Sequence, residues 1–418
     1  MRLFLALVTI LNMASCIRYV KLPPETSTGT LYGDNFQIFY QVSDPGWQFC
    51  TIQIVFPDKS EENSSLTNAS LIFAVSGHPK TMSEKEWNNL KERYGLRIWA
   101  GRMGGINQIN GIWKREYAFD GLRAFFRQIL EGRRDDEVWE KVRKKLKQSA
   151  EKIEKNPELL LEEYTDRFLS GNPQRGTLHD LMDIDLIIVN KKLDEMFLKS
   201  QKLIQIYGPF NKKTDQEFLK NIKFKTAMNA YPFYQPRVVF KPSLKSFNIP
   251  HSGNSAYIKC SVNVPFRQWV IWDMYSGFIS GKIKSENVEI QFGSLLRGTP
   301  VVFFYIKTQV GESGKVLRIF KQNIDKLKFH EAEVEKYRQL WKIQFMVRRN
   351  KIDFRKLLDR LIFLEGNKRT LTGILAIADS WSAKRVQMAW DSVLKNMYCI
   401  SVAPKETVDL TIITGENE

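Results

Sequence analysis

The residues that could do chemistry are few and scattered. The four histidines, His78, His179, His251 and His330, stand singly beside turns or helix ends, and no two have the one-turn spacing that aims two imidazoles at one metal. His330-Glu331 shares only chain adjacency and reads as the start of a surface helix. There is no Gly-x-Ser-x-Gly elbow, and neither Cys50 nor Cys260 stands near a helix start beside a histidine. Acyl transfer by serine or cysteine therefore has no candidate. Gly101-Arg102-Met103-Gly104-Gly105 is glycine-rich but lacks the strand-glycine-helix setting of a phosphate cradle, and it reads as turn geometry. No cofactor is predicted from these residues.

The elements that must position such residues follow from the hydrophobic pattern. Asn35 to Val42 and Trp47 to Phe56 are β-rich, with Asp44-Pro45-Gly46 between them, and predict a hairpin. Ser64 to Val75 has helical spacing and stops at Gly77-His78-Pro79; Thr81 to Glu84 opens a second helix that ends near Gly95. Leu96 to Ala100 and Gly111 to Phe119 are strands, with Gly101, Gly104 and Gly105 in the bend. Helices follow from Leu122 to Leu130, Glu137 to Ile153, Pro157 to Phe168 and Asp183 to Ser200, and Leu203 to Tyr207 is a closing strand. Residues 211–235 read as a linker. Beyond it the plan repeats: a strand from Ala256 to Val264, a helix around Trp269 to Phe278, strands at Val288 to Phe292 and Val301 to Lys307, helices from Lys315 onward, and a strand from Met397 to Ala403. Trp139, Trp341, Trp381 and Trp390 lie in amphipathic runs and read as core.

The repetition has a constant offset. Phe168-Leu169-Ser170-Gly171-Asn172 matches Phe363-Leu364-Glu365-Gly366-Asn367, and 363 − 168 = 195. Glu140-Lys141, Arg143, Lys147 and Pro209 recur as Glu335-Lys336, Arg338, Lys342 and Pro404 at the same distance, which argues for duplication of one unit. Pro57 and Pro265 follow the leading strands 208 apart, so the second copy is 13 residues shorter before its helical half. The 418 residues suffice for two domains, and 43% hydrophobic content excludes extensive disorder.

Lys+Arg 63 against Asp+Glu 46 leaves a charge of +17, but no nucleic-acid motif accompanies it, and the lysines read as solvated helix faces. A basic envelope scaffold for anionic lipid or acidic polymer rests on this charge alone. Arg2, apolar Leu3 to Leu11 and small Ala14-Ser15 read as an export signal over residues 1–16. Met13-Ala14-Ser15-Cys16 resembles a lipobox, which would lipidate Cys16 and anchor the chain to a membrane; ordinary cleavage near Ser15 is the alternative. Either implies export to the periplasm or cell envelope. Cys260 and Cys399 read as buried thiols that could pair if their strands are neighbours. Asn63-Ser64-Ser65 and Asn68-Ala69-Ser70 are glycosylation sequons only in a eukaryotic source.

With Glu154-Lys155-Asn156-Pro157-Glu158, Phe168 to Asn172, Gly176-Thr177 and a strand ending in Gly208-Pro209 in this order and in two copies, the sequence resembles the pitrilysin, insulinase and mitochondrial-processing-peptidase family of zinc peptidases. The resemblance covers about residues 31–410. It implies an α+β, metallopeptidase-like architecture: a tandem duplication of an antiparallel sheet with helices on one face, in domains at 31–210 and 236–410, around a chamber for an unfolded peptide.

The family's catalytic signature is H-x-x-E-H on the first helix. Its two histidines hold zinc and its glutamate acts as general base. With Gly77 taken as the glycine after that helix, these positions fall on Asn68, Leu71 and Ile72, none of which can do this chemistry. The distal zinc glutamate would fall within Val142 to Lys147, which offers cations. The substrate-gripping arginine and tyrosine of the second domain are missing from Lys282 to Phe292, with Lys282 the only stand-in for the arginine. The resemblance thus implies a non-catalytic member that binds extended peptides or partners a catalytic relative, as a hetero-oligomer or a homodimer. An active zinc endopeptidase with a site built from His78, His179 and nearby acids is the alternative. Because the family adds its peptide as a strand to a sheet edge, the candidate edge is Leu96 to Ala100, with Arg97, Ile98 and Trp99 as binding residues and Gly101, Gly104 and Gly105 permitting close approach.

Overall fold

Two sheets organise the chain. A computed structural model describes residues 29–33, 36–42, 48–56, 64–103, 106–170, 176–199, 202–209, 245–283, 288–295, 300–348, 371–404 and 408–415. The export signal with Cys16, the linker, Gly104-Gly105 and Phe363 to Asn367 lie outside these residues. No helix of the described residues is long and apolar enough to cross a membrane.

The first sheet contains β1 (Gly29–Gly33), β2 (Phe36–Val42), β3 (Phe49–Phe56), β4 (Arg97–Met103), β5 (Ile106–Lys114) and β6 (Lys202–Gly208), in the order β1-β2-β6-β3-β5-β4. The expected hairpin of β2 with β3 does not form. Strand β6 lies between them, parallel to β2 and antiparallel to β3. Every residue of β6 is buried, and a strand this apolar needs a partner on both edges. The second sheet runs β7-β11-β8-β10-β9, from β7 (Ser246–Pro250), β8 (Ser255–Asn263), β9 (Glu289–Leu295), β10 (Val301–Gln309) and β11 (Tyr398–Ala403). Strand β11 is parallel to β7, so both sheets are mixed rather than wholly antiparallel.

In the first half the helices are α1 (Ser64–Val75), α2 (Glu84–Tyr94), α3 (Ala118–Glu131), α4 (Asp136–Lys155), α5 (Pro157–Ser170), α6 (Leu178–Leu181) and α7 (Leu186–Asp194). Local chemistry sets several of their ends. Ser83 and Glu86 form a reciprocal capping box at the start of α2, and Gly95, at φ 61°, closes it. Pro157 opens α5, where Asn156 Oδ1 accepts from the Glu158 N–H at 2.9 Å. The second half has α8 (Phe266–Ile283), α9 (Ser313–Asp325), α10 (Glu331–Arg348), α11 (Leu371–Asp379), α12 (Ala383–Lys395) and α13 (Thr411–Thr414). Helices α4 and α10 begin 331 − 136 = 195 residues apart. The shortening before the helical half falls where α8 alone stands in for α1 and α2.

One face of each sheet meets its helices. Cys50, Ile52, Ile54 and Phe56 of β3 pack against Phe73, Phe125 and Trp139, while in the second half Phe304 and Phe292 pack against Trp272, Phe320 and Trp390. Trp341 is buried with this second core, and Trp381 packs partly buried against it. The other face of the second sheet is covered by α5, where Leu160 and Leu161 join Ile400 and Val402 in an apolar cluster. Around that cluster Glu162 pairs with buried Lys259, Asn263 Nδ2 donates to Leu169 O at 3.0 Å, and Lys307 Nζ donates to Glu158 at 3.3 Å. A helix of the first half thereby clamps the sheet of the second.

Cys260 and Cys399 form a disulfide. The reading as buried thiols is corrected because β8 and β11 are neighbours and place these residues directly opposite one another. Cys50 remains a buried free thiol, which burial pushes up to about 12 against a smaller opposing effect of Arg115.

Candidate peptide-binding edge

Asn68, Leu71 and Ile72 lie on α1, beside the edge of the first sheet. Leu71 is fully buried in the core and Ile72 packs against it. Asn68 is buried and turns its amide toward β4, where Oδ1 accepts the backbone N–H of Arg102 at 2.8 Å. Val142 and Leu146, in the expected region of the distal zinc ligand, are buried in the core. His78 uses both ring nitrogens: Nδ1 donates to Pro79 O at 3.0 Å and Nε2 accepts from Arg133 at 3.4 Å. His179 lies in the short α6. Among the described residues no three His, Cys, Asp or Glu side chains gather to hold a metal.

Arg97, Ile98 and Trp99 are on β4, which is an edge strand, paired with β5 alone. Pairing runs without a bulge from Arg97↔Ile112 to Met103↔Ile106, so side chains and backbone groups alternate strictly. Ile98 and Ala100 turn their side chains to the helical face and pack on the core. Arg97 and Trp99 stand on the opposite face, both exposed. Since the Arg102 N–H points away from β5, so do the N–H and C=O of Ile98, four residues back, and of Ala100, two residues back. No hydrogen bond from a described residue covers them. This edge is open.

Two expectations need correction. Gly101 lies within β4 at φ +143°, not in the bend, and β5 spans Ile106–Lys114, after which Trp113 Nε1 donates to Ala118 O at 3.0 Å where α3 begins. The close approach that Gly101 permits is made by Asn68, since a Cβ there would sit 2.6 Å from the Asn68 Oδ1. Lys282 is placed apart from these residues, exposed in the last turn of α8 with its ammonium 5.5 Å from the Phe278 ring centre.

The corresponding edge of the second sheet, β9, is closed at its centre. Ser280 Oγ donates to Phe292 O at 3.2 Å and accepts the Phe292 N–H at 3.3 Å, filling the central outward position. Asp273 on the same helix accepts from Ser294 Oγ at 3.4 Å and Trp341 Nε1 at 2.7 Å, and is paired with Arg348. Sequence reasoning missed these edge contacts. Their trace in the sequence is faint, since Asn68 is one of several polar residues within Ser64–Val75, as Asp273 and Ser280 are within Phe266–Ile283.

No family model and no curated protein sequence matches the chain. Solved structures match by shape. A peptidase M16 inactive domain from Pseudomonas fluorescens superposes with a TM-score of 0.72 over 92% of this chain and 100% of its own, at 11% identity. A protease from Helicobacter pylori does so at 0.75 over 91% and 100%, also at 11% identity. The fold is that of peptidase M16-like domains. A third M16-like match, the periplasmic protease PqqL from Escherichia coli, has a TM-score of 0.63 at 11% identity and covers 92% of this chain; the chain spans 47% of its length.

Proposed function

We propose that this chain is a non-catalytic, exported relative of the pitrilysin-type peptidases that binds an extended peptide as an added strand on β4 and works with a second chain. One observation carries this reading: an open sheet edge lies alongside a helix whose would-be zinc positions hold Asn68, Leu71 and Ile72. Backbone pairing supplies affinity without a metal. The Ile98 and Ala100 backbone groups would pair with the peptide, while Arg97 and Trp99 would meet its side chains on the open face. Lys282 is retained as a weaker contact from the second half.

A partner is supported by likeness to a subunit of an assembly, since a chain of complex III2 from Candida albicans superposes with a TM-score of 0.71 at 13% identity. A catalytic relative would supply the other half of a chamber; a second copy of this chain is the other arrangement. Export is supported by the disulfide, a bond that persists in oxidising compartments, and Cys16 would anchor the mature chain if lipidated. Zinc enters only if the chain is itself a peptidase.

The purified protein is mixed with unfolded peptides and assayed for binding, cleavage and bound zinc. Binding without turnover, weakened in a folded Ile98→Pro variant, is expected, because proline removes an outward donor that an edge strand does not need for its own pairing. Chelator-sensitive turnover abolished by a substitution in this chain would overturn the reading.

A further inference from the structure

The outward positions of β4 are not equivalent. Among the described residues nothing takes the backbone groups of Ile98 and Ala100, whereas the Arg102 N–H is already taken by the amide of Asn68 at 2.8 Å. We infer that Asn68 is a register stop: it ends the pairing of an added strand at Ala100 and so fixes which stretch of a peptide the edge reads. This rests on the strand addition proposed above.

The geometry shows why a peptide cannot continue past Ala100 without displacing Asn68. A new strand lies about 4.8 Å from the strand it joins, and beside Arg102 that space holds the Asn68 side chain. The amide is fixed in place, being 4% exposed on a helix packed against β4. Gly101 is what lets it enter, since φ +143° and the missing Cβ leave the room that Asn68 Oδ1 fills. Occupying the Arg102 donor removes one hydrogen bond from any peptide that would extend this far, and the peptide carbonyl facing Asn68 Oδ1 would meet another acceptor.

The second sheet provides a comparison within the same chain. There Ser280 takes both backbone groups of Phe292, the central outward position of β9, and isolates Ile290 from Ser294. The β9 plug breaks the edge in its middle, and the β4 plug sits at its end. Of these two edges β4 alone keeps two successive outward residues available among the described residues, and Asn68 defines where that window closes.

The test uses the full chain and synthetic extended peptides of graded length. In the wild type, affinity should rise with length until the peptide spans Ile98 and Ala100, then level off. In Asn68→Ala the Arg102 N–H is released, and the next residue pair should add roughly two- to tenfold in affinity, the net worth of one further hydrogen bond. Asn68→Asp keeps an acceptor at the same place and should restore the wild-type plateau. Amide exchange in the wild type gives a second reading that needs no variant. The Arg102 amide should be protected without peptide and unchanged by it, while those of Ile98 and Ala100 become protected on binding.

An unaltered plateau in folded Asn68→Ala, or an Arg102 amide that exchanges freely until peptide is added, overturns the register stop while leaving strand addition standing. Peptides that bind at no length, or bind without protecting Ile98 and Ala100, overturn strand addition itself.

Discussion

Removing the Cys260–Cys399 disulfide should weaken the second half of the molecule severely. The bond closes a loop with a sequence separation of 139, and in the chain-entropy account a loop of this length restricts the unfolded ensemble by about 5 kcal/mol at 25 °C. A domain's whole stability is only about 5 to 15 kcal/mol, so the loss is a large share. Both sulfurs are fully buried between β8 and β11, which shields the bond from reductant until the sheet opens. The assay compares urea unfolding of the wild type and the Cys260→Ala/Cys399→Ala protein by tryptophan fluorescence, with Trp269, Trp272, Trp341 and Trp390 buried in the second core as reporters. The double variant should unfold at a clearly lower urea concentration, and wild type reduced in denaturant should behave like it. Equal midpoints, or alkylation of Cys260 and Cys399 in unreduced, denatured wild type, would refute the reasoning.

Other parts of the structure make independent predictions. Asp273→Ala removes a carboxylate that holds Trp341, Ser294 and Arg348 together, and should cost about 3 kcal/mol in chemical denaturation, as for hydrogen bonds to a buried charge. Gly101→Ala should destabilise by a few kcal/mol, about the penalty for strained backbone, because a Cβ meets Asn68 Oδ1 at 2.6 Å and φ is +143°; a variant as heat-stable as wild type would contradict the approach drawn here. Burial pushes the Lys202 ammonium down to about 8. Its folded value lies below the unfolded value of about 10.4, so the penalty is full below about pH 8 and is relieved as pH rises from there. Lys202→Met should therefore be more stable than wild type at pH 7, by up to about 3 kcal/mol, with the gap in thermal unfolding narrowing toward pH 10. Cys50, raised to about 12 by burial, should resist iodoacetamide at pH 8 in the folded protein and react once it is unfolded.

Much of the local structure was legible because neighbours in sequence decide it. Ser83, Glu86 and Gly95 announce both ends of α2, and the apolar spacing of Trp139, Val142 and Leu146 recurs as Val334, Tyr337 and Trp341 on α10. What escaped was set by residues far apart in the chain. The insertion of β6 between β2 and β3 depends on parallel pairing across the whole first half, which no turn sequence encodes. The disulfide became evident only when β8 and β11 were neighbours. At the candidate site, the β-rich character of Arg97-Ile98-Trp99 was visible. The role of Asn68 was not, because it depends on which backbone donor of β4 faces α1, and that follows from the register with β5.

The account stands on whether an extended peptide joins the edge of β4. The most direct measurement is residue-resolved amide hydrogen exchange with and without a saturating unfolded peptide. The account predicts that the amides of Ile98 and Ala100, open in the free protein, become strongly protected on binding, while the amide of Phe292, already held by Ser280, does not change. Peptide binding that leaves Ile98 and Ala100 exchanging as before would contradict it.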